Sequence, residues 1–169
     1  MRKKTMALLV LASAGVLVVP AAHAQATASD DSQGANEQYV KLLRQDVRSQ
    51  KKQLIAANLK LTDAEATKFW PVYEQYSAEM TKIGDQKYEL IKEYGQKFGS
   101  LTDEQAQSLT NRSLALDEAI AQVRIKYAPI INKVLPGTKT ATFFQLDRRI
   151  TELIDLQVAS QIPLVQEQQ

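Results

Sequence analysis

Residues 61–94 read LTDAEATKFWPVYEQYSAEMTKIGDQKYELIKEY. Thr62 is followed three residues later by Glu65, the spacing of a capping box. In that arrangement the Thr hydroxyl accepts a backbone N–H and the acid reaches back to the Thr amide. A helix therefore starts after Thr62. Within it Phe69, Tyr73, Tyr76, Met80, Ile83, Leu90 and Tyr94 fall on an alternating four-three spacing, with Lys87 the one polar intruder. That is a heptad seam of about three and a half repeats, so this helix needs a helical partner along its length.

The partner opens in the same way. Thr102 and Gln105 form a second capping box. Leu109, Leu116, Ile120, Val123, Tyr127, Ile130 and Val134 continue the four-three spacing, with Ser113 the exception, and Leu135-Pro136-Gly137 ends the helix. At about 35 and 32 residues the two helices reach on the order of 50 Å each. A first helix is expected from about Glu37 to Asn58, with Tyr39, Val40, Leu43, Val47, Leu54 and Ile55 as its apolar stripe. A fourth runs from about Lys139 to Ala159, with Phe143, Leu146, Ile150, Leu153 and Ile154 inward. The fold expected is all-α: a long antiparallel helical hairpin with two shorter flanking helices. Pro71 and Pro129 fall inside the hairpin helices and should kink them. Either they bend one common face into a concavity or they act independently.

The N-terminus carries Arg2, Lys3 and Lys4, an apolar run from Met6 to Val19, and Ala22-His23-Ala24. This is the pattern of a cleavable signal peptide over 1–24, which places the protein in the periplasm and leaves no integral membrane span after cleavage. Residues 25–36 (QATASDDSQGAN) are small and polar and read as a disordered tether. The helical domain is 37–165, and 166–169 form a tail.

Without Arg2, Lys3 and Lys4, the 21 basic residues fall to 18 against 19 acidic ones. A globally basic nucleic-acid binder is therefore not expected. The only His is His23, inside the signal, and there is no Cys. The mature chain thus lacks the side chains for Ser-His-Asp or Cys-His catalysis and for thiolate or imidazole metal sites. Asp30-Asp31 and Asp117-Glu118 are sequential carboxylates without a partner acid or base. No glycine-rich phosphate loop is present. No catalytic residue, metal or cofactor is assigned.

Leu61-Thr62-Asp63-Ala64-Glu65 and Leu101-Thr102-Asp103-Glu104-Gln105 lie 40 residues apart as an internal repeat. The second matches Leu-Thr-x-x-Gln outright, and the first has Glu for Gln. With the signal peptide, the size and the helical pattern, this resembles the Spy/CpxP-like LTxxQ-motif family of small periplasmic helical proteins, as an uncharacterised branch. The motif residues are Leu61, Thr62, Glu65, Leu101, Thr102 and Gln105. The resemblance implies a cradle-shaped hairpin that forms a homodimer and holds unfolded envelope proteins on its concave face without ATP, in an envelope stress response. Related heavy-metal sensors use His and Met ligands, which the mature chain lacks apart from Met80.

Two groups of residues are candidates for client binding. Lys41, Arg44, Arg48 and Lys51 recur at spacings of three and four, flanked by Lys52 and Lys60. They form either a landing strip for acidic clients or anionic headgroups, or a solvated outer face. Phe69, Trp70, Phe143 and Phe144 either pack at the hairpin end or form an exposed aromatic patch. Phe143 and Phe144 could both face inward only if the fourth helix is buried on two sides. The expected function is that of a non-enzymatic chaperone. The alternative is a structural or regulatory protein docking one envelope partner, such as a sensor domain.

Overall fold

The computed structural model describes residues 24–165, with side chains from residue 38 onward. The signal-peptide reading of 1–24 and the tail reading of 166–169 lie outside the described residues, Ala24 excepted. Four helices follow in order: α1 (Ala24–Asn58), α2 (Asp63–Lys97), α3 (Asp103–Asn132) and α4 (Gly137–Ala159). The fold is all-α, and its centre is the α2–α3 hairpin. The chain falls into two units, Met1–Asp46 and Val47–Gln169.

Both capping boxes form. Thr62 Oγ1 accepts from the Glu65 amide at 3.3 Å, and Glu65 Oε2 accepts from the Thr62 amide at 2.7 Å. The Thr102–Gln105 box has distances of 3.3 and 3.1 Å. Each satisfies two donors that a helix start leaves without intrahelical partners. Between α2 and α3 the chain turns at Gly99, whose φ of +80° suits a residue without a Cβ. α2 runs through Pro71 and α3 through Pro129, both exposed, so the missing donors fall where water reaches the freed carbonyls.

Cross-links between helices fix their directions. Glu79 meets Lys126 and Tyr127, while Glu93 meets Arg112, so α2 and α3 are antiparallel. Asp147 meets Tyr76, Asp155 meets Lys87, and Pro163 meets Tyr94, so α4 runs alongside α2 in the same direction. The buried core gathers at one end of the hairpin, from Ile55, Leu59, Phe69, Tyr73, Tyr76, Tyr127, Ile131, Leu135 and Phe143.

Five expectations need correction. Residues 25–36 lie within α1 and not in an unstructured tether; the stretch lacks an apolar period but also lacks Pro, and helix needs no period to propagate. At 35 residues α1 is as long as α2, so α4 alone is the shorter helix. The apolar stripe expected on α1 is largely exposed at Tyr39, Leu43, Val47 and Leu54, and only Ile55 of it is buried. Leu153 faces solvent at 67 % exposure, and on α3 it is Ile131 that is sealed, with Ile130 and Val134 half-buried.

Candidate functional site

The buried end of the hairpin combines an aromatic cluster with one carboxylate. Phe69 and Phe143 meet edge to face at 5.3 Å, Tyr76 and Phe143 at 5.6 Å, and Tyr76 and Tyr127 at 5.4 Å. Edge-to-face contact sets the positive ring edge against a negative ring face, which adds to the apolar burial. Phe143 lies 4.9 Å from Phe144; the first is sealed and the second half-buried, so α4 is covered on one side and partly on the next.

Asp147 is fully buried one turn beyond Phe143. Its Oδ2 accepts from the Tyr76 hydroxyl at 2.8 Å and from Arg124 Nε and Nη2 at 3.3 and 3.2 Å. Its Oδ1 has no directed hydrogen bond, but Lys51 Nζ stands 2.7 Å away as an ion pair. Lys51 also donates to Thr151 Oγ1 at 2.9 Å, and that hydroxyl donates to the Asp147 carbonyl at 2.8 Å. One carboxylate on α4 therefore ties Lys51 of α1, Tyr76 of α2 and Arg124 of α3. A buried charge is tolerable only when paired and hydrogen-bonded in this way.

The surroundings fix the protonation of the buried phenols and of Arg124. Burial, then the Asp147 charge, pushes the Tyr76 phenol far above its ordinary value. It therefore stays a hydroxyl donor at any physiological pH. Burial also raises Tyr73 to about 12. For Tyr127 burial and then the hydrogen bond to Glu79 have the same effect, to about 12. Burial opposes the charge on Arg124, but Asp147 and Tyr76 outweigh it and raise its pKa on balance. The cluster thus sets Asp147 against Lys51, Arg124 and a neutral phenol. With its carboxylate fully buried and its cations reaching in from partly exposed positions, it suits a structural tie.

The basic stripe does not survive as one solvated face. Lys41 is exposed, Arg44 and Arg48 are half-buried, and Lys51 is turned to Asp147 with 17 % of its side chain exposed. Lys52 pairs with Glu74 and lies 5.4 Å from the centroid of the half-buried Trp70 ring. Phe69 and Phe143 are core residues, so the aromatic patch is not open to clients in this conformation. Leu61 and Leu101 of the repeat are half-buried beside their boxes, and Leu61 packs on the core.

Asp147 and Arg124 escaped the sequence reading. Asp147 stands between Phe143 and Ile150 at inward spacing, an acid within an apolar row. Arg124 occupies the same kind of place between Ile120 and Tyr127. A charge on a seam was the available signal.

Among the described residues no helix is long and apolar enough to cross a membrane. Comparison with protein-family models, with curated proteins and with solved structures gives no match.

Proposed function

We propose that the protein is a periplasmic, non-enzymatic binding protein of the Spy/CpxP type, an ATP-independent chaperone that shields unfolded envelope proteins. The observation that carries this reading is the exposed apolar surface of α1. In the first unit Tyr39, Leu42 and Leu43 are 62, 57 and 47 % exposed. In the second, Val47 and Leu54 of the same helix also face solvent. Large apolar side chains grouped at the surface mark interaction sites. In the first unit the exposed Lys41 would steer acidic segments to Leu42 and Leu43, since exposed charge acts mainly on association rate. The signal-like segment 1–24 and the paired repeat support the compartment and the type.

The test is suppression of light scattering by several unrelated denatured proteins at stoichiometric amounts. The parent should suppress aggregation of most of them. A Leu42→Gln/Leu43→Gln variant, which keeps good helix propensity, should lose much of that activity with an unchanged unfolding midpoint. Suppression of none, with capture of one envelope protein, would replace the chaperone by a single-partner docking protein.

A further inference from the structure

Residues 47–59 are held unlike the rest of the second unit. α2 packs closely on α3 and α3 on α4, but the α1 residues of this unit, 47–58, make no comparably close backbone approach to any of them. The buried apolar anchors of the segment are Ile55 on the helix and Leu59 just past its end, at 0 and 2 % exposure. Its lysines add charged ties: Lys51 to Asp147 and to the Thr151 hydroxyl, and Lys52 to Glu74 and over Trp70. Beneath Ile55 and Leu59 lies the aromatic cluster of Phe69, Tyr73, Tyr76 and Phe143.

If α1 lifts, Asp147 keeps Arg124 and Tyr76. Opening therefore does not strand a bare buried carboxylate, whose isolation would otherwise oppose it. What opens is an aromatic floor with a carboxylate at one side. The segment now seated there shows what fits: a helix with a cation followed four positions on by an apolar residue, and eight positions on by a second one just past the helix end, as in Lys51, Ile55 and Leu59.

We propose that residues 47–59 are a removable cover, latched by the Lys51–Asp147 pair, over a groove of Phe69, Trp70, Tyr73 and Phe143. Its alternative occupant is a helical client segment carrying a cation and apolar residues at that spacing. The cover stands on geometry alone; the client as occupant rests on the chaperone reading.

The experiment uses the full chain with Lys51→Met and Lys51→Arg variants. Hydrogen exchange is followed in 47–59, 69–80 and 123–131. Lys51→Met should speed exchange in 47–59 about tenfold or more and leave the other two segments within about twofold, and Lys51→Arg should restore much of the protection. A labelled peptide of residues 47–61 should bind the Lys51→Met chain at least about tenfold tighter than the parent, whose own cover competes. Acceleration of all three segments by one factor, or of none, would overturn the cover, because α1 would then open only with the whole fold. Failure of the peptide to bind an opened chain would overturn the groove. A split exchange pattern with peptide binding, but no suppression of aggregation, would keep the cover and remove the chaperone reading.

Discussion

The two ends of the α2–α3 hairpin share one heptad pattern and are held in different ways. Near Thr62 the seam residues Phe69, Tyr73 and Tyr76 are almost wholly sealed, beneath α1 on one side and α4 on the other. Near Gly99 the partners thin out. Leu90 is buried, but Leu109 and Leu116 are half-buried and Leu114 is 62 % exposed. That end relies on polar links: Glu93 to Lys97 and Arg112, and the Tyr94 hydroxyl to the Pro163 carbonyl at 2.8 Å. A periodic seam decides which helices pair. How deeply the seam is buried depends on how many further helices reach it. Apolar burial contributes far more than exposed ion pairs, so the end with more helices should be the more stable one.

The sharpest way to separate the ends is to delete equal chemistry from each. Leu135→Ala, in the buried core, should destabilise by about 3–4 kcal/mol, read from the denaturant midpoint. Leu116→Ala, half-buried near the other end, should cost about 1 kcal/mol, and equal losses would erase the contrast. Asp147→Asn keeps the shape but leaves Lys51 and Arg124 facing a neutral amide. We expect a loss of about 3 kcal/mol, because removing one partner of a buried pair strands the others. A neutral result would mean that the tie contributes specificity without stability.

Smaller effects compare the two capping boxes. Thr62→Ala and Thr102→Ala should each cost about 1 kcal/mol, because each removes the same acceptor in nearly the same geometry. The Thr102 variant should also speed exchange locally near residue 102, where less packing holds the helix start.

The smallest effect is in pH. Lys139, and then the Thr62 amide, hold the Glu65 carboxyl below the ordinary 4.5. Lys126, then Tyr127, do the same for Glu79, and Lys97, then Arg112, for Glu93. A depressed folded pKa gives stability that is present above the unfolded value and lost as pH falls through the folded one. Unfolding midpoints should therefore stay level from pH 7 down to about 5 and decline only below about 4.5. Glu93→Gln should shallow that decline slightly. A decline starting near pH 6.5 would point to a different titrating group.

Much of this was legible in the sequence because it is local. A capping box depends on four consecutive residues, and a long seam repeats its evidence at every turn, so the starts of α2 and α3 and the buried face of α2 follow from spacing. α1 was misread because Tyr39, Leu43, Val47 and Leu54 are periodic yet face solvent, while the row through Lys51, Ile55 and Leu59 faces the core. Amphipathic spacing says that a face exists; only the partners decide which face is covered. Asp147 was passed over for a related reason. Its buried setting requires cations from two other helices, and nothing within α4 announces them.

The most direct test of the contrast between the two ends is native-state hydrogen exchange along α2 alone, one helix that belongs to both. Amides in 69–80 should exchange only through global unfolding, and those in 90–97 at least about tenfold faster through local opening. Uniform protection from one end of α2 to the other would contradict the account.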